Sequence, residues 1–447
     1  MTPPKASRTG VRPQLKNSKW GQTPVYPVYR IVARRGGTCG RVATVLAIAA
    51  IGIAGCARQR QWVFDDAISS SWIAAWEAAP QLTEDRNMPP VPLTGATIRQ
   101  VVQVTVHGLQ RRIRLSNEFG DEPLIVASAS IAQSATVAGP AEAATQLTFS
   151  KDTSVTIAPG AAAWSDKVVG ATDATALTVV SLYLTHVPRR LTGHPGSRTT
   201  SFILPGNHVR DSVLPNAAKT EHWYVISGLE VTGPTEAGAV VVLGNSIADG
   251  RGSGTDKNNR WPDNLARRLQ ANERWPAVVA VLNAGIGGNA VLRGGLGPTA
   301  LDRFERDVLD QRGVRWVIVS EGVNDLGGSK PDSADATATQ LMEAYKQFIA
   351  RGHERGLRVY GATMLPFGGS FYDAPERSAA RQRVNNWIRR SRAFDAVIDF
   401  DAALRDPANP SRLRGDVDSG DHLHPNENGY RLMAEAIDLK LFRNNHQ

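Results

Sequence analysis

The sequence predicts an α/β protein in which a β-rich part precedes a parallel sheet covered by helices. Two observations lead to this prediction. Between residues 71 and 235, short apolar or alternating runs are separated by Gly, Pro, Asn and Asp, a pattern typical of antiparallel strands joined by turns. From residue 236 to residue 447, apolar runs alternate with amphipathic segments, which indicates β-α-β units and a parallel sheet.

The β-rich part shows four clear strand signals and no helical periodicity of useful length. The runs lie at residues 98–106, 112–115, 124–132 and 176–184. Short strands with turn signals at this spacing predict a β-sandwich or jelly-roll-like accessory domain over 71–235.

The part from 236 to 447 predicts five strands and five helices. We expect strands at 239–243, 277–282, 315–319, 357–363 and 396–400. We expect helices at 261–273, 299–311, 338–355, 376–392 and 425–441. In open parallel sheets, active sites lie at the carboxyl ends of the strands. Polar residues directly after a strand are therefore the candidates for function.

The net positive charge of the chain lies entirely at its amino terminus. The formal net charge is +9, and residues 1–55 contain nine Lys and Arg but no Asp or Glu. The rest of the chain is therefore formally neutral, and it presents no net basic charge of the kind that attracts phosphates. This distribution argues against a nucleic-acid partner.

The amino-terminal segment 1–56 predicts export. Residues 42–55 form an apolar run of fourteen residues, shorter than the roughly 20 that a membrane-spanning helix needs but suited to a signal-peptide core. The run ends in Ile-Ala-Gly-Cys, which resembles the lipobox of bacterial lipoproteins and implies acylation of Cys56. The alternative is an ordinary signal peptide with an incidental cysteine. We expect a tether at 57–70, and an exported protein that is either a cell-envelope lipoprotein or secreted.

Four polar motifs stand where an active site is expected. They are Gly-Asn-Ser-Ile at 244–247, Asn-Ala-Gly-Ile-Gly-Gly-Asn at 283–289, Glu-Gly-Val-Asn-Asp at 321–325, and Asp-His-Leu-His-Pro-Asn at 421–426. Three follow a predicted strand and the fourth precedes the last helix. Each alone has a structural explanation as a turn, a cap or a loop. Four such motifs at one sheet edge indicate a functional site.

Together the motifs resemble the SGNH/GDSL hydrolase family, named for Ser, Gly, Asn and His in four blocks. The resemblance covers about residues 238–443 and implies a three-layer α/β/α, flavodoxin-like domain with serine esterase activity. By matching blocks, Ser246 is the nucleophile, and Asp421 and His424 complete the triad. Serine needs a base to take its proton, and the aspartate would orient that base. His422 is a competing base, although adjacent side chains usually diverge.

The resemblance also implies an oxyanion hole. The backbone N–H groups of Ser246 and Gly288 and the side-chain amide of Asn324 would be its three donors. One position departs from the family, because Asn245 stands where aspartate is usual. That aspartate is not the triad acid, so the chemistry should survive, with altered hydrogen bonding near the nucleophile.

The front half resembles the XynE-like branch of this family. The resemblance rests on Trp-Ile-Ala-Ala-Trp at 72–76, Arg-Leu-Ser-Asn-Glu-Phe-Gly at 114–120, Gly-His-Pro at 193–195 and Asp-Ser-Gly-Asp-His at 418–422. It implies an arylesterase or acylhydrolase for short acyl esters, including acetyl esters of carbohydrates. Trp72, Trp76 and Trp164 are candidates for sugar binding, against the alternative that they pack in the core or the domain interface.

The sequence offers no motif for a metal or a nucleotide cofactor, so we expect neither. We expect a serine-dependent carboxylic ester hydrolase acting on a small-molecule or polysaccharide-linked ester, with membrane contact only through a lipid at Cys56. Two alternatives stay open: an acyltransferase with the same triad, and a catalytically inactive surface lipoprotein that binds glycans.

Overall fold

The computed structural model describes residues 70–174, 176–272 and 278–443. The predicted signal segment 1–56, with Cys56 as its lipidation site, lies outside the described residues, as does nearly all of the tether. Within the described ranges, no helix combines the length and the apolar character that crossing a membrane requires.

Short strands dominate the first part of the described chain, as the turn-rich pattern predicts. They are β1 (Ser70–Glu77), β2 (Gln81–Leu82), β3 (Ala96–Val102), β4 (Gly108–Ser116), β5 (Leu124–Ser134), β6 (Thr145–Gln146), β7 (Val155–Ile157), β8 (Ala162–Trp164), β9 (Val168–Thr172), β10 (Leu177–His186), β11 (Thr192–His194), β12 (Ser201–Pro205), β13 (Ala218–Thr220), β14 (Trp223–Tyr224) and β15 (Ile226–Pro234). They form sheets in the orders β1-β15-β4-β8, β13-β12-β3-β10-β5-β6 and β14-β11-β2, with β9 beside β4 and β7 beside β5.

The two larger antiparallel sheets share one hydrophobic core. Ile113 and Leu115 of the first sheet are buried together with Ile98, Val180 and Leu182 of the second. Burying one apolar face of each sheet against the other is the physical basis of a β-sandwich. The predicted β-rich domain with antiparallel sheets is confirmed.

The second part of the chain forms a parallel sheet. Its strands are β16 (Gly238–Gly244), β17 (Val279–Gly285), β18 (Val314–Ser320), β19 (Arg358–Ala362) and β20 (Ala396–Ile398), in the order β17-β16-β18-β19-β20. Every residue of β16 is buried, because strands covered on both faces need continuous apolar runs. The strand order is the flavodoxin-like one, and the predicted α/β class is confirmed.

Eight α-helices accompany this sheet in the described part of the chain. They are α1 (Ser246–Asp249), α2 (Trp261–Gln270), α3 (Ala300–Phe304), α4 (Val323–Gly328), α5 (Ala334–Glu354), α6 (Pro375–Arg390), α7 (Phe400–Leu404) and α8 (Glu427–Glu435). The three short helices α1, α4 and α7 were not predicted, because four to six residues carry too little periodicity to read.

Several predicted bounds were wrong for identifiable reasons. The helix expected at 299–311 is α3 continued by a π-helical turn, Glu305–Leu309. The helix expected at 425–441 starts later, since the side chain of Asn426 caps it by accepting from the Gly429 N–H at 3.0 Å, and it ends at Glu435. The strand expected at 396–400 stops at Ile398, because the Asp399 side chain caps α7.

The β-rich part and the parallel-sheet part are joined by direct contacts. The antiparallel strands end at Pro234 and the parallel sheet starts at Gly238. The Thr105 hydroxyl donates to Ala75 O at 3.0 Å and accepts from the Val281 N–H at 3.0 Å. Both parts belong to one compact unit, so the division into separate domains at 235/236 stays a prediction.

Candidate active site

Ser246 stands on a tight turn between β16 and α1. The Asn245 side-chain oxygen accepts from the Ile247 N–H at 3.0 Å and so caps the short helix. A Cβ on Gly244 would lie 2.4 Å from the Ala248 Cβ, which requires glycine at the end of the strand. The turn therefore places Ser246 at the carboxyl edge of the sheet, where the strand order reverses.

Ser246, His424 and Asp421 form one hydrogen-bond chain. The Ser246 Oγ lies 2.8 Å from His424 Nε2, and His424 Nδ1 lies 2.6 Å from Asp421 Oδ2. Ser246 and His424 are both buried, although 178 residues separate them in sequence. The structure thus brings the three predicted triad residues together.

The local charges suit a neutral base and an ionised acid. Burial raises the pKa of the Asp421 carboxyl, but hydrogen bonds from the His424 backbone and ring and from the Leu423 N–H outweigh it, so its pKa falls to about 2. Burial lowers the pKa of His424, Asp421 raises it, and the guanidinium groups of Arg251 and Arg198 lower it further. The net pKa of His424 is lowered, which keeps the imidazole free to accept a proton at neutral pH.

His422 has a different partner. Its Nδ1 lies 2.6 Å from Asp418 Oδ2, and its backbone has a φ of 60°. Half of its side chain is exposed. The neighbouring histidine therefore points away from Asp421, as expected for adjacent side chains, and Asp421 pairs with His424.

The second and third motifs meet beside the turn that carries Ser246. The Ile286 N–H donates to Gly244 O at 3.0 Å, and the Asn324 amide donates to Asn289 O at 2.7 Å. Gly288 has a φ of 72°, a conformation that glycine adopts without strain. Asn324 lies within reach of the turn that carries Gly288, although neither makes a direct hydrogen bond to Ser246 in the described part of the chain.

Tyr372 orients the Asn324 amide. Its hydroxyl donates to Asn324 Oδ1 at 2.9 Å, so the amide NH₂ must face the other way. This residue was missed in the sequence, because it lies in a loop, 48 positions from Asn324, outside all four motifs.

A buried arginine, Arg303, ties three of the motifs together. Its guanidinium donates to Gly244 O at 3.0 Å and Asn289 Oδ1 at 3.0 Å, and its Nη2 lies 3.4 Å from Glu321 Oε1. It also pairs with Asp307 at 3.0 Å. The sequence analysis missed this residue, although a signal existed. Arg303 and Asp307 are four positions apart, so they lie on the same helix face, and both side chains are buried. Charged side chains are rarely buried unless they are paired.

Asn245 contacts a buried carboxyl group. Its amide nitrogen lies 3.2 Å from Glu321 Oε2. Burial raises the pKa of Glu321 to about 8, against the lowering by Arg303. Asn245, where the sequence departs from the family pattern, therefore donates a hydrogen bond to a buried acid beside the turn that carries Ser246.

The tryptophans considered for sugar binding are engaged within the protein. Trp76 is buried and meets Trp223 edge to face, with ring centroids 5.0 Å apart. The Arg112 guanidinium lies 4.6 Å from the Trp72 ring and 4.7 Å from the Trp164 ring. These contacts favour the packing interpretation. Among the described residues, no group of His, Cys, Asp or Glu is arranged to hold a metal ion.

A serine–histidine–aspartate chain at the edge of a doubly wound sheet is the constellation that serine hydrolases use. Residues 242–432 match the sequence model of the GDSL-like Lipase/Acylhydrolase family. The matched residues include all four motifs.

Several solved structures are similar to part of the chain. An acetyl xylan esterase, AlAXEase, is 21% identical, with 44% of this chain and 96% of that chain covered and a TM-score of 0.34. A carbohydrate acetylesterase family member from Sinorhizobium meliloti is 16% identical, with 46% and 97% covered and a TM-score of 0.33. A G-D-S-L lipolytic family member from Veillonella parvula DSM 2008 is 17% identical, with 46% and 98% covered and a TM-score of 0.33. Among curated proteins, none matches this sequence.

Proposed function

We propose that this protein is a serine-dependent carboxylic ester hydrolase for short acyl esters, with carbohydrate esters as its natural substrate class. The observation that carries the proposal is the chain from Ser246 Oγ to His424 at 2.8 Å and from His424 to Asp421 at 2.6 Å. A nucleophile, a base and an orienting acid in this geometry are what acyl transfer through a covalent intermediate requires.

In the proposed reaction, the Ser246 oxygen attacks the ester carbonyl carbon while its proton passes to His424 Nε2. The protonated imidazole, stabilised by Asp421, gives that proton to the departing alcohol as the C–O bond breaks. Water then attacks the acyl-serine, His424 takes a proton from the water and returns it to Ser246 Oγ, and the carboxylic acid leaves.

The negative oxygen of each tetrahedral intermediate needs fixed donors. The N–H groups of Ser246 and Gly288 are proposed for this role, since in the described residues neither donates to a loop, turn or side-chain acceptor. The Asn324 amide is the third, because one of its two N–H bonds is used by Asn289 and the other has no acceptor among the described residues. Loss of one such donor costs ~10²–10³ in turnover in other enzymes.

The carbohydrate part of the proposal has two supports. The first is the resemblance of the front-half motifs to the XynE-like branch. The second is Phe371, whose side chain is 72% exposed and whose ring centroid lies 4.3 Å from that of Tyr372. An exposed aromatic face beside the residue that orients Asn324 suits stacking on a sugar ring. Export, with Cys56 as the acylated residue, is part of the same proposal.

The test is hydrolysis of p-nitrophenyl acetate and longer p-nitrophenyl esters by the full chain. We expect turnover that falls with acyl length, and a loss of at least about 10³-fold in Ser246→Ala and His424→Ala. The acid limb of kcat/KM should have its midpoint below 6.5, the ordinary value from which the pKa of His424 is lowered, because the neutral base is then present at lower pH.

His422→Ala is the matched control, since this adjacent histidine pairs with Asp418, and it should retain turnover. Folded wild-type protein with no more turnover than Ser246→Ala would refute the esterase proposal. Acetylated xylan, assayed by acetate release with the same variants, tests the carbohydrate class.

A further inference from the structure

The β-rich part reaches the nucleophile helix through one buried pair, His194 and Asp249. His194 ends β11, and Asp249 is the last residue of α1, three positions after Ser246. His194 Nε2 lies 3.0 Å from Asp249 Oδ1, and the two side chains are only 5% and 4% exposed. A buried polar contact of this kind has strict hydrogen-bonding requirements.

Those requirements set the number of protons that the pair must carry. Its Nδ1 lies 3.0 Å from Ala79 O, and a carbonyl oxygen only accepts, so Nδ1 carries a proton. Its Nε2 faces the Asp249 carboxylate, which also only accepts when ionised. One further proton must therefore lie between Nε2 and Oδ1. That proton is shared by the ring and the carboxylate in one hydrogen bond.

The Asp249 carboxylate also sets the spacing of the loops around it. A Cβ on Gly196, two residues after His194, would lie 1.8 Å from Asp249 Oδ2. A Cβ on Gly287, next to Gly288, would lie 3.2 Å from the same oxygen. The carboxylate thus fills the gap between a loop of the β-rich part and the turn that carries a proposed oxyanion donor.

The other charged groups near the pair come from both parts of the protein. Glu77, Arg260 and Asp263 line the same cavity as His194 and Asp249, and the Arg260 guanidinium lies 5.7 Å from the Trp223 ring that stacks on His194. Among the described residues, His194 is the only one whose side chain forms a hydrogen bond with the Asp249 carboxylate.

We propose that His194 is a positioning residue: with a proton on Nε2 it donates to Asp249 and holds it, and through Asp249 it holds the short helix that begins at Ser246. The β-rich part then serves as a component of the active site. The kinetic test of this inference rests on the proposed esterase function. The second test follows the protons of His194 and needs no activity.

The kinetic test compares variants of the pair in the full chain with p-nitrophenyl acetate. We expect His194→Ala and Asp249→Ala to lower kcat by about 10²-fold with KM within about twofold, as for a displaced nucleophile. Asp249→Asn should retain kcat within about tenfold, because its amide can donate to an unprotonated Nε2. The matched control is His208→Ala, which breaks another His–Asp contact of the β-rich part, 2.8 Å long and at the surface, and should change nothing.

The second readout is the ¹⁵N spectrum of histidine-labelled protein, with the His194 signals assigned by their absence in His194→Ala or, if that variant does not fold, by their shift in Asp249→Asn. We expect both ring nitrogens of His194 to be protonated in wild type at pH 7, and Nε2 to lose its proton in Asp249→Asn. An unprotonated Nε2 in wild type, or full kcat in folded Asp249→Ala, would overturn the proposal. If wild type hydrolyses no ester, the esterase proposal fails while the spectrum still decides the pair.

Discussion

At the scale of single residues, Asn245 departs from the pattern of the family that the motifs resemble, and its amide both accepts and donates hydrogen bonds there. Its amide has an acceptor, which caps α1 by binding the Ile247 N–H, and a donor, which faces Glu321 at 3.2 Å. A carboxylate has acceptors alone. With a buried glutamate as its neighbour, an amide satisfies both contacts at this position and an ionised aspartate satisfies only the first.

We expect Asn245→Asp to lower the free energy of unfolding by about 1–3 kcal/mol at pH 8. The new carboxylate would lose the donor contact and face Glu321, whose pKa burial raises to about 8. At pH 6 Glu321 is protonated and can donate to the new carboxylate, so the loss should be smaller. Denaturant unfolding at both pH values measures the difference.

Two further variants make this residue-scale prediction sharp. Asn428→Asp is the matched control, since its amide lies 3.4 Å from the Asp416 carboxylate at the surface, and its effect should stay within about 0.5 kcal/mol. Adding Glu321→Gln to Asn245→Asp should restore stability at pH 8, because an amide donates at every pH. Equal stability of Asn245→Asp and wild type at pH 8 would contradict the argument.

At the scale of elements, the site depends on three loops that follow β16, β17 and β18. Asp325 on α4 accepts from the N–H groups of Val291 and Leu292 at 2.9 Å each, which holds the loop after β17 against the helix after β18. The loop before α6 adds Tyr372, whose hydroxyl fixes the Asn324 amide. A proposed oxyanion donor is thus oriented by an element outside the motifs.

We expect Tyr372→Phe to lower kcat for p-nitrophenyl acetate by up to about tenfold with little change in KM. The reason is that one neutral hydrogen bond of about 0.5–1.5 kcal/mol orients a donor used in the transition state. In an Asn324→Ala background the same change should have no further effect, since the group that Tyr372 orients is gone. Additive losses in the double variant would refute the coupling, and Tyr183→Phe in β10 is the control.

At the scale of the whole molecule, the described residues share one main hydrophobic core across the antiparallel and parallel sheets. Trp223 and Trp76 of the β-rich part are buried in the same cluster as Val240 and Leu282 of the parallel sheet. Thr105 and the His194–Asp249 pair add polar contacts at the same junction. Each part therefore buries apolar surface that the other needs covered.

We expect the protein to unfold in a single transition, with equal calorimetric and van't Hoff enthalpies. Trp76→Ala should destabilise that whole transition by about 3–5 kcal/mol, so that near-ultraviolet circular dichroism and the proposed esterase activity are lost at the same temperature. Two resolved transitions, with activity following only one, would show that the parts fold separately.

The sequence by itself determined the fold class and the predicted site residues. Apolar runs of strand length, their spacing and the turn residues between them are local features, so they predicted the antiparallel part and the parallel sheet without knowledge of packing. The motifs that contain Ser246 and Asn324 follow strands, and the edge of a parallel sheet necessarily gathers them. Asp421 and His424 are only three positions apart, so their spacing is likewise a local feature.

The tertiary structure alone decided the contacts made by side chains distant in sequence. That Asp421 pairs with His424 while His422 pairs with Asp418, that Arg303 joins three motifs, and that His194 meets Asp249 all depend on how elements pack. Short helices such as α1 also escaped prediction, because they are held by caps and neighbours. Local pattern reflects periodicity and turn chemistry, whereas partner choice in a buried network is set by the geometry of the assembled core.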